Sequence, residues 1–135
     1  KCLFGICLGM HLLFDRSEEA PDVPGLSWID EPVLRFKSSE STKVPNMGWK
    51  TVSVHSDDIL VSGLDYKSRF YHVHSFYVSS SSNCELLLKA HHGCDFAAAI
   101  KLENIYGCQF HPEKSHKFGL KILQNFSRIS CLNAE

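Results

Sequence analysis

The order of patterns along this chain predicts an α/β domain built on a mixed sheet. Three observations carry that expectation. The apolar run Leu3-Phe4 leads directly into Gly5-Ile6-Cys7-Leu8-Gly9, a thiol with a glycine two positions away on each side. That is the pattern of a strand turning sharply into a helix. Between residues 69 and 110, β-prone runs alternate with Ser, Gly and Asn turn signals. From Ser115 onward the apolar residues fall at helical spacing. Strands first, a helix at each end and hairpins between them suit helices packed on a mixed sheet.

Taken in order, Cys2–Ile6 reads as a strand and Leu8–Phe14 as a short helix with Leu8, Leu12 and Leu13 on one side. Ser17–Gly25 holds Pro21, Pro24 and Gly25 and reads as a loop. Val33–Phe36 is a short strand and the polar Ser38–Thr42 an exposed turn. Trp49–Val54 and Arg69–Tyr77 are rich in β-branched and aromatic residues, as strands are. The serine tract Ser79–Asn83 reads as a hairpin loop, since the strand Cys84–Ala90 follows at once. Gly93 turns the chain into Phe96–Leu102, and Asn104 turns it into Ile105–Phe110. Phe118, Ile122, Leu123, Phe126 and Ile129 then mark one face of an amphipathic helix. There are no internal repeats.

Composition narrows the classes. A length of 135 residues fits one domain, and a hydrophobic content of 44% can supply a core. A net charge of −1 gives no electrostatic case for nucleic acid or anionic membrane. No apolar stretch approaches the roughly 18–20 residues of a membrane-spanning helix, and no signal peptide is visible. The six cysteines are scattered, as reduced thiols of a cytoplasmic protein would be. His72, His74, His91, His92 and Cys94 form the densest group of metal-ligand types, but without the repeated short spacing of a zinc site, so no metal is expected. No cofactor motif is present.

Two segments carry chemistry. The turn at Gly5–Gly9 has the form of a nucleophile elbow, whose glycines tolerate crowding and unusual φ values. It would set Cys7 at a helix N-terminus, where the thiolate is favoured. About a hundred residues on, the apolar run Ile105–Phe110 ends at His111-Pro112-Glu113. A thiolate nucleophile needs a base to move its proton and a third group to orient that base; His111 and Glu113 fit these roles. Pro112 fixes φ between them and makes the turn rigid.

Gly5-Ile6-Cys7-Leu8-Gly9-Met10 and Gly107-Cys108-Gln109-Phe110-His111-Pro112-Glu113 together resemble the class I (triad) glutamine amidotransferases. More narrowly, the chain resembles the glutaminase subunits of imidazole glycerol phosphate synthases. That match rests on Leu12–Glu19, Lys43–Trp49, Phe70–Tyr77 and Glu113-Lys114-Ser115, which occur in family order over nearly the whole chain. The resemblance implies a flavodoxin-like α/β fold with a mixed central sheet flanked by helices, and residues 1–135 as a single amidotransferase domain. In the family a front third precedes the elbow, so the domain is expected to be partial, N-terminally truncated, with the elbow strand at a sheet edge. That front third carries one of two oxyanion-hole amides, leaving Leu8 to supply the other. Loss of one such donor typically costs about 2.7–4 kcal/mol of transition-state stabilisation.

What else the resemblance implies concerns substrate and partner. Cys7, His111 and Glu113 would form the catalytic triad that hydrolyses L-glutamine to glutamate and ammonia. Glu19 would meet the substrate ammonium, and Leu8, His11 and the backbone of His74, Ser75 and Phe76 would line the glutamine pocket. Met47, Trp49 and Lys114 would face a (β/α)8-barrel cyclase subunit in a heterodimer. That cyclase would use the channelled ammonia to convert PRFAR to imidazole glycerol phosphate and AICAR in histidine biosynthesis. The chain departs from the family at His11, where Gln is usual, at Asn46 (usually His), at Lys50 (commonly Asn) and at Phe76 (usually Tyr). His11 bears on glutamine affinity, and Asn46 and Lys50 are expected near the docking face. Two alternatives therefore stay open: a paralogous amidotransferase feeding another synthase, such as one for surface-sugar amidination, and a non-catalytic regulatory or binding domain.

Overall fold

The computed structural model describes residues 1–132. In chain order its elements are β1 (Leu3–Ile6), α1 (Leu8–His11), β2 (Phe14–Ser17), β3 (Ile29–Arg35), β4 (Asn46–Thr51), β5 (Ser53–Val54), β6 (Arg69–His74), β7 (Phe76–Tyr77), β8 (Glu85–His91), β9 (Asp95–Leu102), β10 (Ile105–Cys108) and α2 (His116–Leu132). Single 3₁₀ turns lie at Ile59–Val61 and Pro112–Lys114.

The central sheet has five strands in the order β1-β10-β9-β8-β5. Only the β1–β10 pair is parallel, so the sheet is mixed as the sequence predicts. β9 runs through its middle as Phe96-Ala97-Ala98-Ala99-Ile100, all buried. An apolar run without polar alternation marks a strand covered on both faces. On one face Phe36, Phe70, Phe96, Phe110 and Ile122 form the larger core under α2; on the other, Met10, Leu13, Phe14, Val33 and Ile100 form a smaller one. β1 is the end strand of this sheet.

Two small sheets complete the fold, β2-β3-β7 and the antiparallel pair β4-β6. The sequence reading differs here, beginning with the expected strand Trp49–Val54, which is split at Val52 into β4 and β5 in different sheets. The first helix stops at His11 instead of running to Phe14, and Phe14–Ser17 is a strand parallel to β3. Leu13 and Phe14 turn into the smaller core, while Leu8 and Leu12 stay exposed, so the expected Leu8-Leu12-Leu13 face does not form. Arg69–Tyr77 is interrupted at Ser75, whose carbonyl accepts from Phe36 N–H at 3.0 Å, outside either ladder.

The C-terminal helix is as expected. Ile122 and Ile129 are buried, Phe118 and Phe126 pack beside them, and Leu123 lies at the solvent margin. Asn125, fully buried on the same face, donates to Leu60 O and Ser62 O at 2.9 Å each. These bonds pin α2 to the 3₁₀ turn. Near its start, Gly119 allows α2 to touch the Pro112 turn, since a Cβ there would lie 1.8 Å from Pro112 O.

Candidate active site

Cys7 sits between β1 and α1 with φ 52° and ψ −108°, a strained geometry for a residue with a side chain. The turn is tight enough that a Cβ on Gly5 would lie 2.6 Å from Gly9 O. Gly5 is thus required by close approach. Gly9 is not, for a Cβ there would meet nothing within 4 Å. The Cys7 N–H donates to Cys108 O at 2.7 Å, which ties the elbow to the end of β10.

Three residues beyond Cys108, His111 opens the 3₁₀ turn that carries Glu113. His111 Nδ1–H donates to Glu113 Oε1 at 2.6 Å, so Nε2 is left as the basic nitrogen. The turn is braced from β6: His111 N–H donates to Tyr71 O at 3.0 Å, and Tyr71 N–H donates to Ser115 Oγ at 2.9 Å. The Ser115 hydroxyl in turn donates to His111 O at 2.6 Å. Between the elbow and this turn no hydrogen bond joins the Cys7 sulfur to His111 in the resting arrangement. Among the described residues, the sulfur's side-chain partner is Gln109, whose Nε2 donates to it at 3.8 Å.

Burial pushes the Cys7 thiol up from its ordinary pKa, against the lowering effects of the Leu8 N–H and Gln109; Glu19 and Glu113 push it up further. This corrects the expectation of a thiolate at a helix N-terminus. With four residues, α1 offers almost no dipole, and desolvation wins. At rest Cys7 is a thiol.

A pocket of about 140 Å³ opens beside Cys7, lined by Leu8, His11, Glu19, Val73, His74, Ser75 and Phe76. All six residues expected to bind substrate therefore meet around one cavity. Its size lies below the roughly 300–1,000 Å³ of drug-sized sites and suits a small metabolite. Glu19 reaches it from the loop after β2, where its N–H donates to Ser17 Oγ at 3.2 Å. His11 lines the pocket, but its Nε2 is already bonded to Gln109 Oε1 at 2.8 Å.

Beneath Ser75 lies a polar cluster. His74 Nδ1–H donates to Phe76 O at 2.8 Å, which leaves its Nε2 as a single acceptor shared between Asn46 Nδ2 at 3.1 Å and His72 Nδ1 at 3.0 Å. Both imidazoles are neutral. Burial holds His74 down to about 4 and His72 well below the usual range. Asn46 is fully buried in this cluster, directly before the exposed Met47 on β4. Met47 and Trp49, its neighbours on β4, are exposed, and so is Lys114 at the end of the Pro112–Lys114 turn. Trp49 also borders a groove of about 790 Å³ with Arg69, His116, Lys117 and Phe118. Val73 and Gln109 lie at the site without a role in the sequence reading. Each sits within a β-prone run, and only three-dimensional proximity gives it a place there.

Comparison with known proteins shows the family of the chain. The glutamine amidotransferase class-I family model matches residues 1–129. The chain is 45% identical over 129 residues to imidazole glycerol phosphate synthase subunit HisH 2 of Pseudomonas aeruginosa, covering 96% of this chain and 63% of that protein. It is 46% identical over 124 residues to subunit HisH 2 of Methanococcus maripaludis, covering 92% and 61%. The chain thus spans a little over three fifths of the curated relatives it matches. Among solved structures, a putative GMP synthase component from Thermoplasma acidophilum superposes with a TM-score of 0.69 at 21% identity, over 99% of this chain and 61% of that one, a likeness of fold alone. The chain belongs to the class-I glutamine amidotransferase family.

Proposed function

We propose that the protein hydrolyses L-glutamine to glutamate and ammonia through Cys7, His111 and Glu113, as the glutaminase subunit of an imidazole glycerol phosphate synthase. One observation carries this reading: Leu8, His11, Glu19, His74, Ser75 and Phe76 converge on a single small pocket at the thiol. The relatives at 45–46% identity, each named as such a subunit, support the narrower assignment.

In the proposed cycle His111 Nε2 takes the Cys7 proton and the sulfur attacks the amide carbon of glutamine. The Glu113 carboxylate holds the ring through Nδ1 and stabilises the imidazolium. The Leu8 N–H faces the oxygen that becomes negative. Collapse of the tetrahedral adduct gives the leaving nitrogen a proton from His111 and releases ammonia, with a γ-glutamyl thioester on Cys7. Water, deprotonated by the same imidazole, hydrolyses the thioester to glutamate. Because the resting sulfur is a thiol bonded to Gln109, substrate and partner must bring it within reach of His111; catalytic hydrogen bonds are commonly loose before that stage.

The partner is a (β/α)8-barrel cyclase docked at Met47, Trp49 and Lys114 to form a heterodimer in the cytoplasm, using the ammonia to make imidazole glycerol phosphate for histidine. No helix among the described residues is long and apolar enough to cross a membrane. The test is glutamate release by the protein with and without the cyclase, together with labelling by a diazo-ketone analogue of glutamine. Weak turnover alone, strong stimulation in the complex and label on Cys7 are expected, all abolished in Cys7→Ser. Absence of both turnover and label in the complex would refute the reading.

A further inference from the structure

We propose that Gln109 is a catalytic residue whose carboxamide seats the Cys7 sulfur for attack, and that His11 is the positioning residue that decides which end of the carboxamide meets the sulfur. This rests on Cys7 being the nucleophile and deepens that reading. The observation is a closed ring of contacts. His11 N–H donates to Cys7 O at 3.2 Å, which ties it to the elbow. Its Nε2 meets Gln109 Oε1 at 2.8 Å, and Gln109 Nε2 meets Cys7 Sγ at 3.8 Å.

Gln109 is fully buried at the end of β10, its backbone fixed by a bond from its N–H to Ala98 O at 2.9 Å. A buried carboxamide is costly unless both of its ends are paired, and here His11 and Cys7 supply the pairs. A carbonyl oxygen only accepts, so His11 is protonated on Nε2. The flipped carboxamide would turn its oxygen to the sulfur and hold the thiol proton in place. That orientation needs His11 Nε2 as an acceptor, the other tautomer. The tautomer of one imidazole therefore selects whether the amide supports the sulfur with its proton or without it.

Burial keeps His11 neutral, so the clamp adds a directed donor and no charge. Glu19 faces both His11 and Cys7; Glu113 and Cys108 face Cys7, and His74 faces His11. Against those carboxylates, the Gln109 amide and the Leu8 N–H are the groups that stabilise negative charge on the sulfur. The contact counts while the proton is leaving for the base and fades once the sulfur is a neutral thioester.

The test is the pH profile of Cys7 alkylation by iodoacetamide in the intact protein, read by peptide-resolved mass spectrometry because five other cysteines are present. Gln109→Leu should move the alkylation midpoint up by about half to one pH unit and lower glutaminase kcat by about three- to tenfold, with KM nearly unchanged. His11→Leu should shift the midpoint the same way, and the double variant no further than the larger single effect. An unmoved midpoint in Gln109→Leu, or single shifts that add, would overturn the proposal. Should Gln109→Leu fail to fold, His11→Leu carries the same test, and an unmoved midpoint there overturns it equally. The alkylation readout uses no glutamine. Shifted midpoints without glutamine turnover would support the clamp while removing the glutaminase assignment, and normal turnover with unmoved midpoints would do the reverse.

Discussion

Replacing Gly119 with alanine probes how the His111–Glu113 turn is held against α2. In an ordinary helix interior this substitution gains about 1 kcal/mol, because glycine loses more backbone freedom on folding. Here the new methyl would lie 1.8 Å from Pro112 O, 2.7 Å from Pro112 C and 3.0 Å from its Cα. All three atoms are backbone, so no rotamer change clears them, and helix and turn must part by more than an ångström. Overpacking of this kind costs about 1–3 kcal/mol. The same movement strains the bond from Gly119 N–H to Ser115 O, now 3.1 Å, worth about another 1 kcal/mol. After the helix gain is subtracted, a net loss of about 1–3 kcal/mol remains, or a fall in Tm of roughly 3–10 °C at this chain length. Thermal melts of Gly119→Ala and Gly9→Ala, followed side by side by circular dichroism, make the assay. Gly9→Ala places its methyl in open space and should melt at or slightly above the parent protein. Because Pro112 lies between His111 and Glu113, Gly119→Ala should also lower kcat of the proposed glutaminase reaction at temperatures where it is fully folded. A Gly119→Ala protein that melts as high as the parent would refute the reasoning.

Two further perturbations follow from the buried polar groups. His72 and His74 are held neutral by burial, so the unfolded chain binds more protons than the folded one below pH 6.5. Stability should be full above about pH 6.5 and fall as pH drops towards 4, where His74 protonates even when folded; this residue alone accounts for roughly 3 kcal/mol. Urea unfolding at a series of pH values should show that slope, reduced in His72→Phe, and a flat profile between pH 7 and 5 would contradict it. Asn125→Ala strips the buried Leu60 carbonyl and the half-buried Ser62 carbonyl of their donor and should cost about 1–3 kcal/mol by chemical denaturation. A change below about 0.5 kcal/mol, the scale of a neutral surface substitution, would mean that α2 is not pinned there.

Much of the scaffold is legible in the sequence because its signals are local. The elbow, the β-prone runs of β8 to β10 and the face of α2 each depend on residues close together in the chain. Phe14–Ser17 is hidden from such reading because Leu8, Leu12 and Leu13 mimic a helical face; the pull of the second core on Leu13 and Phe14 overrides that spacing. The pocket residues emerge through family motifs, and chain folding brings them together from α1, the loop after β2, and the β6–β7 break. What local pattern does not carry is pairing across distance. His11 and Gln109 lie 98 positions apart, and Asn46 and His74 lie 28 apart. Nothing near either end of those pairs announces its partner. The resting state of Cys7 escapes the sequence for a related reason: the residues announce a helix start but neither its length nor the depth of burial that outweighs it.

Tyr71 has spent both of its main-chain polar groups on the far side of its strand, the carbonyl on His111 and the amide on Ser115. Its ring, meanwhile, meets Trp49 edge-on with centroids 5.9 Å apart. One residue therefore spans the distance from an exposed indole to His111 and the turn that carries Glu113, with no flexible loop between. A molecule seated on that indole would therefore rest one residue away from the two backbone bonds that hold the His111 turn.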